Sequence, residues 1–305
     1  MVFAPTPMLT VTIERPADEV ELHLHAGGQG VWQARMIRLL GGTVTLCTAL
    51  GGEVGTMLRT LVEAEDVELK LVHRDGSSGW YVDDRRAGQR RRIAEAPGAP
   101  LDRHELDELY GLALSAGLRA TVSVLSGPND PSLVPDDAYR RLAADLTAHG
   151  GTVVADLSGS YVDAVLEGGV EVLKVSAEEL IRDGRVRSDD EASLVAALAD
   201  LRKRGARSVV ISRAEQPALA ALDGEVLLVE APKLEEADHR GAGDSMTAGI
   251  AAVLAGGGDL RDAVRTGAGA GALNVTRHGL GTGSAEAIAE LAERVVLSPL
   301  RQEST

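Results

Sequence analysis

The chain has 305 residues, 44% of them hydrophobic and 25% charged, enough apolar material for one large α/β core. A formal net charge of −15 argues against nucleic acid or an anionic membrane surface as a partner, absent a local basic patch. A single cysteine, Cys47, excludes a disulfide framework or a cysteine metal site within the chain. The first residues lack a positive segment followed by an apolar one, and no stretch approaches the length of a membrane span. A soluble cytoplasmic protein is therefore expected.

Taken in chain order, residues 9–25 read as β structure without a helix. Leu9, Val11 and Ile13 alternate with polar residues, as do Val20, Leu22 and Leu24. Cys47 lies in an apolar run over 44–50 that reads as a buried strand. Residues 69–93 again read as strands and hairpins, with turns at Asp75-Gly76 and Arg86-Ala87-Gly88. The arginines at 85, 86, 90, 91 and 92 follow Asp83 and Asp84 and have no aromatics among them, so they read as a solvated hairpin. From 121 onward the rhythm changes. Strands are expected over 121–125, 152–155, 170–175 and 208–212, with helices over 136–148 and 192–204 between them. A hairpin over 218–229 turns at Asp223-Gly224, and 245–254 is a small-residue helical run. Strands alternating with helices predict a doubly wound, mostly parallel sheet flanked by helices. The two helix-free segments, about 9–25 and 69–93, predict a small β-sheet lid on that single α/β domain.

The chemistry concentrates at Gly241-Ala242-Gly243-Asp244, immediately before the helical run. Glycines at a helix start let the backbone approach a ligand, and the first-turn amides with the helix dipole favour an anion there. An aspartate beside a bound phosphate can accept the proton of an attacking hydroxyl while the amides hold the developing charge. Asp is also favoured as a plain helix cap, but a cap does not call for a flanking Gly-x-Gly. A Walker-type phosphate loop is missing from the sequence, and the run 267–272 reads as a tightly packed small-residue helix rather than a dinucleotide fingerprint.

With these residues in place the chain resembles the ribokinase/PfkB family of carbohydrate kinases, most of all its 1-phosphofructokinase and tagatose-6-phosphate kinase branch. Residues 26–34, with Gly27, Gly28, Gln29, Gly30 and Trp32, resemble the family's first signature. Residues 40–52 resemble the strand and turn after it. Residues 238–245 resemble the second signature with its Gly-Ala-Gly-Asp core intact, and 270–276 the helix near the nucleotide. The resemblance implies a ribokinase-like fold, ATP and Mg²⁺ as cofactors, Asp244 as base and the amides of Gly241, Ala242 and Gly243 as anion hole. It also implies a nucleotide side formed by Lys174, Ser176, Glu179, Ser212, Ala214, Gly271 and Asn274, with Glu179 reaching the metal through water. A homodimer formed through the lid is compatible with it.

The departures from the family cluster by role. Trp32 replaces an asparagine that bonds sugar hydroxyls, and Thr10 an aspartate. Gly79 replaces a lid arginine, and Gln29 a lysine. The indole, the hydroxyl and the glycine cannot make the charged or bidentate contacts of the residues replaced. The acceptor side is therefore assigned to Thr10, Gly27, Gly28, Gln29, Trp32 and Arg92, with one of Arg90, Arg91 or Arg92 expected as a phosphate ligand from the lid. Ser176 replaces an asparagine, while Ala214 and Pro217 replace glycines. The expected activity is transfer of the ATP γ-phosphoryl group to a hydroxyl of a sugar, sugar phosphate or related polyol. Two alternatives stand beside it. One is a nucleoside or aromatic-substrate kinase, motivated by Trp32 and Trp80-Tyr81. The other is a catalytically weak ligand-binding homologue.

Overall fold

The computed structural model describes residues 1–16, 19–235, 240–277 and 280–300. The N-terminal part runs β1 (Val2–Phe3), β2 (Met8–Glu14), β3 (Glu21–Gly27), α1 (Gln29–Leu39), β4 (Thr45–Gly51), α2 (Gly52–Glu63) and β5 (Glu68–Arg74). It continues through β6 (Gly79–Asp84), β7 (Arg91–Ala96) and α3 (Arg103–Gly117). Strands and helices then alternate, with two helices between the last pair of strands: β8 (Val122–Ser126), α4 (Asp136–Ala148), β9 (Thr152–Asp156), α5 (Ser160–Gly168), β10 (Val170–Ser176), α6 (Ala177–Arg182), α7 (Glu191–Lys203) and β11 (Ala206–Ser212). The last part holds β12 (Ala218–Leu222), β13 (Glu225–Glu230), α8 (Ala242–Ala255), α9 (Leu260–Asn274), α10 (Ala285–Ala292) and β14 (Val296–Pro299).

A ten-stranded sheet has the order β14-β13-β12-β11-β10-β9-β8-β1-β4-β5. Strands β5 to β11 of this order are parallel, and β12 to β14 close one edge antiparallel. Because successive side chains point to opposite faces, each parallel strand feeds two cores. Val153, Ala155, Val209 and Ile211 pack with α3, α4, α5 and α7, whereas Val154 and Val210 pack with α1, α2, α8 and α9. Helices α8 and α9 meet closely: a Cβ on Gly249 would lie 2.7 Å from the Cα of Gly267. That contact is why the small-residue run of α9 is a helix and not a loop around a ligand.

The second sheet has the order β3-β2-β6-β7. Strands β2 and β3 form an antiparallel hairpin, β6 joins β2 in parallel, and β7 joins β6 antiparallel with an irregularity at Val82/Asp83. The expected lid range therefore needs one correction. Residues 69–74 belong to β5, which pairs with β4 at the edge of the large sheet, Thr45 opposite Glu68 through Gly51 opposite Arg74. Val72 is fully buried in one core while Leu69 and Leu71 pack on the other, which fixes the strand there.

The order of the large sheet reverses at β1, whose neighbours β4 and β8 carry the chain outward in opposite directions. In open α/β sheets the crevice outside the carboxyl ends at such a point is where ligands bind. Strand β2 leaves β1 directly above it, and β3 returns into α1 at Gly27 and Gly28, so the lid is anchored at the rim of this crevice.

Candidate active site

The carboxyl ends of β8, β9 and β10 deliver Ser126, Asp156, Lys174 and Ser176 to one place. Helix α8 points its N-terminus at them. Gly241 precedes the helix at φ 73°, a left-handed conformation suited to glycine, and offers no side-chain cap to the first-turn amides. Asp244 lies in that first turn. A Cβ on Gly243 would sit 2.3 Å from Lys174 Nζ, so the ammonium presses directly against the turn and would have to move for any larger residue.

Under the turn lies a dry polar network. Asp156 is 1% exposed and Lys174 5%. Asp156 accepts from Gln33 Nε2 at 3.0 Å, from Thr247 Oγ1 at 2.7 Å and from Lys174 Nζ at 3.3 Å. Burial raises the Asp156 carboxyl, opposed by Lys174. Burial pulls Lys174 down, but Asp156, Glu179 and Asp244 together raise it, so it stays a cation. With three donors aimed at Asp156, we assign it the ionised form, and the leftover cost of a second carboxylate falls on Asp244. Burial, then Asp156, push Asp244 up to about 7, against the pull of Lys174 and of the neighbouring Gln29 amide. Its side chain is half-buried, not sealed. A carboxyl poised near neutrality beside an ammonium suits proton abstraction.

Beyond the turn, a cleft of about 480 Å³ opens beneath the lid. Trp32, Tyr81, His23 and His25 supply its rings, Thr10 and Thr12 its hydroxyls, and Arg240 and Leu280 its rim beside the turn. Trp32 thus faces the cleft, and Thr10 lies there with its hydroxyl donated to the His25 carbonyl at 3.2 Å. A Cβ on Gly27 would collide with Thr10 at 2.4 Å, which makes this glycine part of the cleft wall rather than a ligand contact. The charges of the cleft come in pairs. Arg35 holds Glu65, its Nε at 2.9 Å, and also the Leu280 carbonyl at 2.8 Å. Arg85 approaches Glu14 at 3.6 Å, and Arg90 bonds Asp83. Arg92, expected as a phosphate ligand, instead binds Asp83 at 2.6 Å and lies over the Tyr81 ring at 3.8 Å. Arg85 and Arg90, not Arg92, are the lid arginines that line the cleft. Gly79 abuts the Pro97 carbonyl, with 2.5 Å left for a Cβ, so no side chain of this position reaches the cleft.

On the other side, Ser176 caps α6, and Glu179 returns the bond: its carboxylate accepts from the Ser176 N–H and Oγ at 2.8 Å each. This capping box fixes Glu179 close enough to raise Lys174 and Asp244 electrostatically. Ser212 ends β11 and Ala214 is exposed just beyond it. Gly271 packs against the Ala242 carbonyl, 3.0 Å from where a Cβ would stand. Asn274, expected near the nucleotide, is fully buried. Its amide donates to the Arg240 carbonyl at 2.5 Å, and its carbonyl accepts from Ser245 Oγ at 3.1 Å and the Gly281 N–H at 3.3 Å. It locks the turn from below. Asp238 and His239 of the second signature lie outside the described residues. The sequence reading missed Asp156 and Gln33. Their only signal was position: a polar residue closing a buried strand, and an amide one turn after Gln29.

This fold and site define a carbohydrate kinase. The family model described as pfkB family carbohydrate kinase matches residues 10–287, and the chain belongs to that family. Its similarity extends to the ATP-dependent 6-phosphofructokinase isozyme 2 of Mycobacterium tuberculosis, 30% identical over 273 residues, covering 86% of this chain and 78% of that protein. The 1-phosphofructokinase of Xanthomonas campestris pv. campestris is 34% identical over 152 residues, 48% of each chain. Among solved structures, the tetrameric inhibited form of phosphofructokinase-2 from Escherichia coli has a TM-score of 0.84 at 24% identity, covering 96% of this chain and 97% of that one. The chain is thus a phosphotransferase with a sugar hydroxyl as acceptor, on a ribokinase-like fold.

Proposed function

We propose that this protein transfers the γ-phosphoryl group of ATP to a hydroxyl of a sugar or sugar phosphate held between Trp32 and the 241–244 turn, with Asp244 as general base. The observation that carries this reading is Asp244 itself, in the uncapped first turn of α8 above the Lys174–Asp156 pair. The acceptor O–H gives its proton to Asp244, the oxygen attacks the γ-phosphorus, and ADP leaves with the bridging oxygen. The amides of Gly241 to Asp244 and the Lys174 ammonium stabilise the charge on the transferred group. ATP use is in keeping with the name of the mycobacterial relative. Among the described residues no three His, Cys, Asp or Glu side chains converge as a metal cage. Mg²⁺ would therefore arrive on the nucleotide phosphates, with Glu179 ordering its water shell. Closure of the lid over the cleft would keep water from competing as acceptor.

Two specific observations favour a second reading for the acceptor, an uncharged ring-bearing polyol. The cleft offers four rings for stacking, and Arg35, Arg85 and Arg90 already face Glu65, Glu14 and Asp83. Homodimer formation through the lid is supported by Val20 and Leu22, 58% and 62% exposed beside or on its edge strand β3. Among the described residues no helix is long and apolar enough to cross a membrane.

The test is ADP release with fructose 6-phosphate, fructose 1-phosphate, free hexoses and nucleosides as acceptors. Asp244→Asn should lower turnover about 10²- to 10⁴-fold with ATP binding retained. Undiminished turnover in that variant would remove Asp244 as base.

A further inference from the structure

Register sets the inner face of the lid in rows. Strand β2 pairs with β3 on one side and β6 on the other, so Thr10 stands between His25 and Tyr81, and Thr12 between His23 and Asp83. Residues two apart share one face of a strand, and all six of these line the cleft. The rings of His23 and His25 stand side by side, parallel to within 4° and 6.3 Å apart at their centroids. The Thr10 hydroxyl is already donated to the His25 carbonyl.

The charge of the lining decides what this face can hold. Arg35, Arg85, Arg90 and Arg240 stand there against Glu14, Glu65 and Asp83, in a chain whose net charge is −15. The cleft is thus a cationic pocket in an acidic protein, which favours an anionic ligand. Three of the arginines are nevertheless engaged. Arg35 binds Glu65 and the Leu280 and Ala26 carbonyls, Arg85 approaches Glu14 at 3.6 Å, and Arg90 bonds Asp83. Among the described residues of the lining, the two histidines are the groups able to gain positive charge when an anion arrives.

We propose that His23 and His25 are the specificity-determining pair of the acceptor site, holding the phosphate of a sugar phosphate and taking up a proton as it binds. This role of the pair rests on the reading of the cleft as the acceptor site.

The groups facing His25 are Arg35 of α1, Glu65 just past α2, Glu14 of β2 and His23 of its own strand. Burial, then Arg35 and His23, hold His25 below the ordinary imidazole range, against the pull of Glu65 and Glu14. It is therefore neutral near pH 7 in the free protein. His23 has the Glu21 carboxylate 3.1 Å from its Nε2, and Asp83 beyond Thr12 in the same row. A phosphate placed against the pair adds negative charge and accepts charge-assisted hydrogen bonds from imidazolium N–H groups. It thus raises the protonation midpoint of the rings, and by linkage its own affinity falls as pH rises through that midpoint. An uncharged hexose offers the pair hydroxyls alone and draws no proton.

Histidine ring NMR of the full chain measures this directly, with the two signals assigned from His23→Asn and His25→Asn. His25 is exposed and His23 half-buried, so neither substitution removes a core contact. The rings are titrated alone and with fructose 6-phosphate, fructose 1-phosphate or free fructose. A phosphate ester that binds should raise both midpoints by about half a pH unit to one unit, and fructose should leave them in place. Replacing both histidines by asparagine should raise the KM for that ester about tenfold and leave the KM for ATP unchanged. An ester that binds, followed by Trp32 fluorescence, without moving either midpoint overturns the histidine site and leaves the kinase reading standing. Failure of both esters to bind also overturns the site, and turnover of free hexose or nucleoside would then leave phosphoryl transfer at Asp244 standing. Undiminished turnover in Asp244→Asn, with midpoints still moved by an ester, would remove Asp244 as base and keep the histidine site.

Discussion

The tips of β8, β9 and β10 and the four strands of the lid face each other across one cleft, yet they manage charge by opposite means. At the tips, Lys174 and Asp156 sit almost out of water beneath the half-buried Asp244, and Asp156 takes donors from α1, β10 and α8 at once. On the lid, β7 is exposed through most of its length, and its charges pair locally, Arg92 with Asp83 and Glu95, Arg91 with Asp84. Among the described charged residues of the lid, only Asp83 is buried. A charge at the tips is bound to three elements and cannot change alone. A lid charge belongs to one hairpin and can.

The sharpest way to break this contrast is at Lys174. In Lys174→Met, Asp156 loses its cation in a site with almost no solvent, and unpairing a buried ion pair costs about 3–5 kcal/mol. Urea unfolding should show a loss of that order together with loss of turnover. A loss below about 1 kcal/mol would mean that water reaches Asp156 and that the tips are not a dry network.

That network also marks the limit of what the sequence discloses. The alternating strands and helices after residue 121 were legible because each strand is a short apolar run and each helix has its own stop, such as Gly150 after α4 or Gly205 after α7. Asp244 stands out in the sequence because Gly241 and Gly243 precede it at a helix start. β5 was misplaced because an alternating strand such as Glu68–Arg74 fits the edge of either sheet, and the choice is made by Val72 finding a core far away in sequence. Asp156 and Gln33 were illegible for a related reason. They gain meaning only when β9 and α1, separated by 123 positions, converge on one hydrogen bond. Asn274 was read as a ligand contact because its neighbourhood was right. Its burial, which turns the side chain toward the Arg240 carbonyl, is a property of packing alone.

The next largest effect follows from Asp244 in the free protein. Its carboxyl is raised above the ordinary range, so the proton is favoured on folding. The stability this gives is full below its unfolded value of about 4 and is lost as pH rises through about 7. Asp244→Asn removes the charge and should recover about 1–3 kcal/mol at pH 8, a rise in Tm of several degrees, with a smaller gain at pH 5. An equal gain at both pH values would mean that Asp244 is ionised normally.

On the lid, Asp83→Asn should release Arg90 and Arg92 without touching the tips. The KM for the acceptor should rise roughly tenfold, about 1.4 kcal/mol, while the KM for ATP stays the same. A parallel change in both constants would show that the two regions are mechanically joined, contrary to the contrast drawn above.

The smallest effect is expected at Arg86, and it separates a paired charge from a useful one. Arg86 grips Asp84 through Nε at 3.0 Å and Nη2 at 2.8 Å, and holds that carboxyl far below the ordinary carboxylate range. The pair lies at the water-exposed end of the hairpin, where solvent screens the attraction and two long side chains lose freedom in making it. Arg86→Ala should therefore leave Tm and both KM values unchanged at 0.15 M salt. A clear drop in Tm, reversed by no other change than restoring a cation at 86, would show that the lid's ion pairs act as one network and that its charges are no freer to vary than those at the strand tips.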